Sequence, residues 1–387
     1  MLTINRDYLL AHPRQMPLTI HCGSGCHVFD AAGRRYLDLV SGIGVNALGY
    51  NHARIQAVIA DQAHLCIHTS NLFDHPYREP LARELCRISG LDRALFTNSG
   101  TEATEAALKL AWCHGRRLDQ AKTHFVALNG SFHGRTRGAL AVAGQPALRD
   151  PFAPFAADVK FVGPNDEAAL HAAVTSRTAA MILEPILGEG GVRPLTNGFL
   201  RAAREVTGRH NALLIADECQ TGLGRTGEHF AFQWAGIQPD VVTVAKPLAA
   251  GLPLGAVVFT EAVNAAFPPG THATTFGGGP LACRVALEFL AAAADLLPHI
   301  RQIGEQLRAG LEELQSRRGV IREIRCRGLM IGIQLDRSGH PFVQRALDRG
   351  LLINCTQENV LRLLPPYILR TPEAEEGLQI LDDVLAV

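Results

Sequence analysis

Between positions 94 and 260 of the chain, short continuous apolar runs alternate with amphipathic stretches. The apolar runs read ALFT, HFVAL, DVKFV, AAMILE, ALLIA, VVTVA and AVVFT. Runs of this kind, bounded by glycine, proline and polar residues, are typical of strands that are buried on both faces. Helical periodicity separates several of them, at 102–114, 166–176 and 196–210. Strands that alternate with helices predict crossover connections, and hence an α/β fold with a mainly parallel sheet.

Different patterns precede and follow this core. Before it, HVFD and RYLDLV predict a hairpin within 20–40, and helical periodicity follows at 53–68 and 76–89. After it, short strands are expected between helices predicted at 280–318, 341–349 and 372–385. The chain therefore changes from alternating strands and helices to a smaller α+β arrangement near position 280.

The chain has 387 residues, of which 47% are hydrophobic and 19% charged, enough for an extensive core in a globular protein. We predict three parts: an N-terminal segment (1–52) that packs with the small domain, a large domain (53–270), and a small α+β C-terminal domain (271–387). No stretch approaches the roughly 18 consecutive apolar residues that a membrane-spanning helix needs.

Lysine plus arginine and aspartate plus glutamate balance at 37 each, which gives no support to nucleic acid or an anionic membrane as a partner. Charged residues interrupt the N-terminal MLTINRDYLLAHPRQMP where a signal peptide would need an apolar run, so we expect a cytoplasmic protein. Nine cysteines, an odd number, predict reduced thiols rather than a disulfide framework. The pair Cys22 and Cys26 has no second pair at zinc-like spacing, so we expect no metal site.

Two of the apolar runs end in a single ionisable side chain, because Asp217 follows ALLIA and Lys246 follows VVTVA. Parallel strands present their carboxyl ends at one edge of the sheet, where α/β proteins bind ligands. We therefore predict a site that contains both side chains. Pro247 predicts extended backbone at Lys246. From the residues alone, the alternative is that Asp217 caps the next segment and Lys246 extends into solvent.

The segment TNSGTEATEAALKLA at 97–111 predicts a strand end, a tight turn and the start of a helix. Free N–H groups and the positive end of the helix dipole favour a phosphate there, and Ser99 and Thr101 add hydroxyl donors. The alternative is an ordinary capping box formed by Ser99 and Glu102.

Three further loops contain residues with possible binding roles. In NGSFHGRTRGAL, Phe132 could stack on a planar ligand and Arg135 could bind a carboxylate, or the two could pack and face solvent. In EPILGEGG, Glu184 and Glu189 could bind, pair with an arginine or face water. THATTFGGGPLAC, which includes Thr275, could contact a second phosphate face or form the hinge to the small domain.

Several enzyme classes lack support in the sequence. GLGRTG at 222–227 matches G-x-G-x-x-G but is followed by no convincing helical run, so we do not interpret it as a dinucleotide site. The chain has no G-x-S-x-G, H-E-x-x-H or Walker motif, which argues against hydrolase, zincin and P-loop classes.

In their order and spacing, these segments resemble the class III, fold-type I pyridoxal-phosphate (PLP) aminotransferases. The resemblance is carried by GIGVNALG, HTSNLF, NSGTEATEAALKLA, GSFHGRT, EPILGEGG, DECQTGLGRTG, AKPLAAGLPLGA, TTFGGGPLAC and LRLLPP, which together span most of the chain. It implies the fold-type I architecture, PLP as cofactor, and a homodimer with shared active sites.

The resemblance also implies a role for individual residues. Lys246 would form the Schiff base with the cofactor aldehyde, and Asp217 would pair with the pyridine nitrogen. The phosphate would be held by Ser99, Gly100 and Thr101, with Thr275 reaching it from the partner subunit.

The remaining implied roles concern the cofactor ring and the substrate. Phe132, beside His133, would cover one face of the ring and Cys219 the other, and Gln220 would touch the phenolic oxygen. The substrate carboxylates would be bound by Arg135 and Arg362, with Glu189 masking Arg362 when no α-carboxylate is present.

The implied reaction is a ping-pong transfer of an ω-amino group to 2-oxoglutarate, in which the Lys246 amine moves the proton. The motifs are most similar to those of members that use N2-acetylornithine in arginine biosynthesis. Ornithine, succinylornithine, 4-aminobutyrate and a lysine-pathway semialdehyde are the alternative donors. From other classes, an NAD-dependent oxidoreductase would have to use GLGRTG, and a non-catalytic binding protein would have to retain the fold alone.

The sequence departs from the family pattern at a few positions. Cys219 replaces the usual valine, which preserves packing against a ring and adds an oxidisable sulfur. The other departures bear on the choice of amino donor and lie at Ala53, His75, Gly279 and Tyr367.

Overall fold

The computed structural model describes Tyr8, Leu10 and residues 16–386. The first part of the predicted N-terminal segment, apart from those two residues, therefore lies outside the described residues. The strands are β1 (Ile20–Ser24), β2 (His27–Asp30), β3 (Arg35–Asp38), β4 (Arg93–Thr97), β5 (His124–Leu128), β6 (Asp158–Val162), β7 (Thr178–Leu183), β8 (Ile186–Leu187), β9 (Arg193–Pro194), β10 (Leu213–Asp217), β11 (Val241–Val244), β12 (Gly255–Phe259), β13 (Ile321–Arg327), β14 (Met330–Leu335), β15 (Leu351–Leu352), β16 (Asn354–Thr356) and β17 (Val360–Leu363).

The helices occupy the amphipathic stretches between the strands. They are α1 (Ser41–Gly44), α2 (Ala53–Leu65), α3 (Arg78–Ser89), α4 (Gly100–Leu118), α5 (Arg137–Ala141), α6 (Pro146–Arg149), α7 (Glu167–Ala173), α8 (Asn197–Arg209), α9 (Glu261–Asn264), α10 (Pro280–Arg317), α11 (His340–Asp348) and α12 (Thr371–Leu385). Short 3₁₀ turns are found at Asp150–Phe152, Ala231–Ala235 and Lys246–Ala249.

A seven-stranded sheet with the order β4-β12-β11-β10-β7-β5-β6 forms the centre of the molecule. The pairs within β11-β10-β7-β5-β6 are parallel, whereas β12 is antiparallel to both of its neighbours. Every residue of β5, β7, β10, β11 and β12 is buried, as the continuous apolar runs require. The prediction of an α/β fold with a mainly parallel sheet is confirmed.

Capping residues and buried apolar side chains fix the position of α4, the helix that follows β4. Ser99 is its N-cap and its hydroxyl oxygen accepts the N–H of Glu102, while Arg116 and Arg117 in the last turn suit the negative end of the helix dipole. The alanines and leucines of one face of α4 are buried, and α4 packs against β7, β11 and β12. The N-terminus of α4 is therefore fixed at the carboxyl end of β4.

The C-terminal part contains a second, antiparallel sheet with the order β13-β14-β17-β16, preceded by the 38-residue helix α10. The N-terminal hairpin β1-β2-β3 is extended by β15, which pairs with β3 in parallel. A strand from the C-terminal part thus completes the N-terminal sheet. The three domain boundaries given above stay a prediction.

The backbone at Lys246 differs from the expectation based on Pro247. Lys246 has a φ of +34° and begins a 3₁₀ turn two residues after β11 ends, so extended backbone at this position was wrong. Ala245, at φ −161° and ψ −126°, separates the strand from the turn. The steric effect of Pro247 on the preceding residue is therefore overridden by the turn, and a non-glycine residue with positive φ is strained.

Two further observations concern the part of the chain that the structure describes. No helix there is both long enough and apolar enough to cross a membrane. The nine cysteines among the described residues are all free thiols.

Candidate active site

Loops that follow four strands of the large sheet line a cavity of about 420 Å³. These loops come after β4, β5, β10 and β11, so they lie at the strands' carboxyl ends, where the sequence predicts a site. Of the residues proposed from the sequence, the cavity brings together Ser99, Gly100, Thr101, Phe132, His133, Arg135, Asp217, Cys219 and Lys246.

Asp217, the last residue of β10, is buried and its carboxylate accepts three hydrogen bonds. His133 Nδ1 lies 2.7 Å from Oδ2, while the Thr243 hydroxyl (3.0 Å) and the Cys219 N–H (3.1 Å) donate to Oδ1. Thr243 is the residue opposite Asp217 in the parallel pairing of β10 with β11. Sequence reasoning missed Thr243, although it is the one hydroxyl residue in the run VVTVA.

These hydrogen bonds decide the charge of Asp217. Burial raises the pKa of the carboxyl, but the hydrogen bond and charge of His133, with the Cys219 N–H, outweigh burial and leave the pKa below its ordinary value. Asp217 is therefore an anion at neutral pH. The other ring nitrogen of His133, Nε2, is buried and has no hydrogen-bond partner among the described residues.

The N-terminus of α4 forms another wall of the cavity. Ser99 accepts the N–H of Glu102 at 3.3 Å, so the helix cap exists. The Thr101 hydroxyl oxygen accepts the Arg135 N–H at 3.1 Å, which ties the loop after β5 to this helix end. A Cβ at Gly100 would approach Cys219 Sγ to 3.0 Å, so this position is close to the opposite wall. The cap and an anion site at the helix end are compatible, because the cap uses only one of the free N–H groups.

Phe132 and Arg135 lie on the loop between β5 and α5. The Arg135 guanidinium is exposed and sits 5.5 Å from the centre of the Phe132 ring. The Phe132 N–H donates to the Glu184 carboxylate at 2.9 Å. Glu184 is fully buried, and burial raises its pKa to about 7. Arg135 is thus a cation at the edge of the cavity, available to a ligand carboxylate.

Glu189 and Arg362 form an ion pair outside the cavity lining, with 2.6 Å between Arg362 Nη1 and Glu189 Oε1. The Arg362 side chain is 1% exposed and that of Glu189 is 23% exposed. Arg362 Nη1 also donates to the Gln220 side-chain oxygen at 3.3 Å. Gln220 is therefore placed beside Arg362 and does not line the cavity.

Thr275 is the other proposed residue that does not line the cavity, and it is exposed. Its neighbour Phe276 is 66% exposed, although it packs against His68 with 5.3 Å between ring centres. The Asn71 side chain donates to the Thr274 carbonyl at 2.6 Å, which joins this loop to the HTSNLF segment.

The GLGRTG segment lies in consecutive turns and opens no helix, as its sequence context predicted. Its arginine, Arg225, is buried and donates to the carbonyls of Leu329 (3.1 Å) and Pro365 (2.5 Å). Tyr367, one of the departures from the family pattern, stacks on this guanidinium at 4.7 Å. The segment therefore joins the loop after β10 to the C-terminal sheet.

Comparison with known proteins decides the family. A model of the family described as aminotransferase class-III matches residues 9–385. The chain belongs to the class III aminotransferases. It is 44% identical to acetylornithine aminotransferase 1 of Bordetella bronchiseptica, over 95% of this chain and 94% of that protein. It is also 40% identical to the acetylornithine aminotransferase of Methanocaldococcus jannaschii, over 99% and 97% of the two chains.

Solved structures of this family have the same fold. The ornithine aminotransferase of Toxoplasma gondii superposes with a TM-score of 0.94 at 32% identity and covers 98% of this chain and 93% of its own. The N-acetylornithine aminotransferase of Stenotrophomonas maltophilia superposes with a TM-score of 0.85 at 34% identity, over 96% of both chains. This class III aminotransferase is thus a transaminase with the fold-type I architecture.

Class III aminotransferases depend on PLP, and the cavity of this chain fits that cofactor. It combines a helix N-terminus for a phosphate, a buried carboxylate for a protonated ring nitrogen, and a lysine for an aldehyde. The described residues contain no cluster of three or more histidine, cysteine, aspartate or glutamate side chains arranged to hold a metal ion.

A second buried carboxyl, Glu218, leads to a prediction about pH. It accepts the Thr221 hydroxyl at 2.5 Å and the Phe232 N–H at 2.9 Å, and burial raises its pKa to about 7 from 4.5. The folded protein therefore holds this proton up to about pH 7, whereas the unfolded chain releases it near pH 4.5. Stability from this group is present below pH 4.5 and is lost as the pH rises to 7.

We expect the Glu218→Gln variant to lose this pH dependence. Relative to the variant, the wild-type free energy of unfolding should fall by about 3 kcal/mol between pH 4.5 and 7.5, because each tenfold change in proton affinity corresponds to about 1.4 kcal/mol. Chemical denaturation at several pH values measures this difference. The exposed Glu79→Gln is the matched control and should follow the wild type. Parallel stability curves for wild type and Glu218→Gln would contradict the prediction.

Proposed function

We propose that this class III aminotransferase transfers the ω-amino group of N2-acetylornithine to 2-oxoglutarate, forming N-acetylglutamate 5-semialdehyde and glutamate for arginine biosynthesis. The observation that carries the proposal is the set of relatives named acetylornithine aminotransferase, which are 39–44% identical over nearly the whole chain. The ion pair of the buried Arg362 with the partly exposed Glu189 supports it, because this pair suits a site that alternates between substrates of different charge.

In this proposal, PLP is held by residues of the cavity. The N–H groups and hydroxyls at the start of α4, from Ser99, Gly100 and Thr101, bind the phosphate. The Asp217 carboxylate would pair with the ring nitrogen, Phe132 and Cys219 would cover the two faces of the ring, and Lys246 would bind the aldehyde. The buried position of Asp217 and its lowered pKa support this arrangement, since a fixed anion keeps a neighbouring ring nitrogen protonated.

The substrate carboxylates meet two arginines. Arg135, exposed at the cavity edge, binds the carboxylate that is remote from the reacting carbon. Arg362 stays paired with Glu189 while the ω-amino donor is bound, because no carboxylate adjoins the reacting carbon of that donor. When 2-oxoglutarate binds, its α-carboxylate replaces Glu189 on Arg362. Gln220 at 3.3 Å from Arg362 Nη1 helps to hold the guanidinium in place during this exchange.

When bound, PLP supplies an electron sink for the charge that develops at the amino-bearing carbon. The chain supplies the proton transfer, which we assign to Lys246 Nζ. The amine would take the proton from the amino-bearing carbon of the substrate and then donate it to the cofactor, which lies in the same cavity. The backbone of Lys246 has a positive φ, and its side chain lines the cavity.

The active form in this proposal is a cytoplasmic homodimer. Large apolar side chains are exposed on the two joined loops that contain Leu72 (85%), Phe73 (67%) and Phe276 (66%). Exposed apolar clusters of this kind are typical of protein interfaces. Thr275 lies in the second of these loops, so a partner subunit packed there receives Thr275 near its own phosphate site.

The donor is tested by single-turnover reactions of the PLP-loaded protein with N2-acetylornithine, ornithine, N2-succinylornithine and 4-aminobutyrate. Loss of the visible absorption of the bound cofactor measures each rate. We expect N2-acetylornithine to exceed ornithine and 4-aminobutyrate in kcat/KM by at least about tenfold, a difference of about 1.4 kcal/mol in transition-state binding. A faster reaction with one of the other amines would contradict N2-acetylornithine as the donor, and that amine would become the proposed donor. The assignment to the class III aminotransferases would be unaffected.

A further inference from the structure

The segment that contains Glu189 is held by side chains from other elements. We refer to residues 188–191 as the Glu189 segment. The Gly188 N–H donates to Glu184 at 3.0 Å, and Arg325 Nη1 donates to the Gly191 carbonyl at 2.5 Å. The Glu189 carbonyl itself accepts two hydrogen bonds, from the Thr356 hydroxyl at 2.6 Å and the Gln357 side-chain amide at 2.9 Å.

These hydrogen bonds fix a segment whose own sequence is flexible. Glu189 has glycine on both sides, and the following Gly191 has a φ of +95°, a conformation that favours glycine. A glycine-rich loop loses much conformational entropy when it is fixed in one arrangement. Hydrogen bonds from outside the segment are therefore needed to keep Glu189 at one position.

Thr356 lies on the same sheet as Arg362. Strands β16 and β17 pair antiparallel, with Asn354 opposite Arg362 and Thr356 opposite Val360. Thr356 is 2% exposed, so its hydroxyl has no access to bulk water as an alternative partner. One rigid sheet thus fixes both the guanidinium of Arg362 and the main-chain carbonyl of Glu189, whose carboxylate lies 2.6 Å from that guanidinium.

We propose that Thr356 is a positioning residue for substrate choice: its hydroxyl holds the Glu189 backbone so that the Glu189 carboxylate covers Arg362 whenever the reacting carbon has no neighbouring carboxylate. Because the backbone is held, Glu189 uncovers Arg362 by rotation of its side chain alone. This inference rests on the proposed function, in which Arg362 binds the α-carboxylate of 2-oxoglutarate and of glutamate. Without the Thr356 bond, the Glu189 segment leaves Arg362 uncovered more often, and α-amino acids gain relative to ω-amino donors.

The test compares the half-reactions of Thr356→Val and Thr356→Ser in the PLP-loaded protein. Valine preserves the shape of threonine without the donor, and serine preserves the donor. The measured quantity is the ratio of kcat/KM for N2-acetylornithine to kcat/KM for glutamate. We expect Thr356→Val to lower this ratio about threefold to tenfold, the range that loss of one hydrogen bond produces, and Thr356→Ser to restore it.

A second measurement is independent of turnover. Amide hydrogen exchange in the PLP-free protein should be faster across the Glu189 segment in Thr356→Val than in wild type or Thr356→Ser. Gln357→Asn removes the second hydrogen bond to the same acceptor, because the shortened side chain no longer reaches the Glu189 carbonyl. It should shift the ratio in the same direction without altering a buried position.

Some outcomes would overturn the inference. These are an unchanged ratio in Thr356→Val, a change in Thr356→Ser as large as that in Thr356→Val, or a changed ratio without faster exchange of the Glu189 segment. If wild type prefers a different ω-amine to N2-acetylornithine, the proposed donor fails. The same ratio is then measured with that amine, so the role of Thr356 is judged separately.

Discussion

The Lys246→Ala variant should lose transamination by at least about 10³-fold, because one side chain provides both the covalent attachment of the cofactor and the proton transfer. Turnover with N2-acetylornithine and 2-oxoglutarate measures the loss. Borohydride reduction provides a second readout, since it should fix the cofactor to wild type and not to the variant. Full retention of turnover or of borohydride fixation in Lys246→Ala would show that Lys246 does not have the proposed role.

One further variant separates the covalent role of Lys246 from its charge, and a second variant at an exposed lysine is the control. Lys246→Arg retains a cation in the cavity wall but cannot form a Schiff base, so it should be as inactive as Lys246→Ala. Lys160→Ala, at an exposed position on the edge strand β6, should leave turnover unchanged. An active Lys246→Arg would mean that only the positive charge is required.

Much of the large sheet could be predicted from the sequence because its physics is local. Strands buried on both faces need continuous apolar runs, and HFVAL corresponds to the fully buried β5 residue for residue. DVKFV likewise matches β6, although this edge strand is exposed at Asp158 and Lys160. The run ALLIA ends at Asp217, and the structure places this residue at the last position of β10. The rule that ligands bind at the carboxyl ends of parallel strands then locates the cavity.

Other parts of the site depend on contacts between distant segments. The role of Thr243 beside Asp217 follows from the register of β10 with β11, which no short pattern specifies. The ion pair of Glu189 with Arg362 joins a loop of the large sheet to β17 of the second sheet, and the sequence suggested it only through the family resemblance. The positive φ of Lys246 contradicts the local effect of Pro247, because the surrounding turn determines this backbone.

Different residues are proposed to bind the cofactor and to select the amino donor. We expect most residues of the cavity lining around Asp217 and Lys246 to bind PLP, with Arg135 reserved for the substrate. In the proposed function, the choice of donor also depends on residues outside the cavity lining, in the Glu189 segment, β16 and β17, where the Glu189 carboxylate pairs with the buried Arg362. We therefore expect separable effects: variants in the cavity lining should impair cofactor chemistry, and variants in the second set should change the preference among amino donors.

Asp217→Asn should lower the rate of the amino-donor half-reaction by about 100- to 1,000-fold, the range seen when a preorganised electrostatic group is removed from a reacting centre. Asparagine retains the size of aspartate and one oxygen that can accept from the Thr243 hydroxyl and the Cys219 N–H. What it removes is the negative charge, which the hydrogen bond and charge of His133 stabilise against the opposing effect of burial, so that the pKa of Asp217 stays lowered. A rate loss in this variant therefore reports charge rather than packing.

Single-turnover kinetics with N2-acetylornithine measure this loss, and Asp158→Asn, at an exposed position at the start of β6, is the control. Asp217→Glu keeps the charge but lengthens the side chain in a buried space, so it should be impaired less than Asp217→Asn in rate and more in stability. Equal activity of wild type and Asp217→Asn would show that the ring nitrogen needs no anion. Because the lowered pKa keeps Asp217 ionised well below neutral pH, acidification to about pH 5 should leave this contribution intact in wild type.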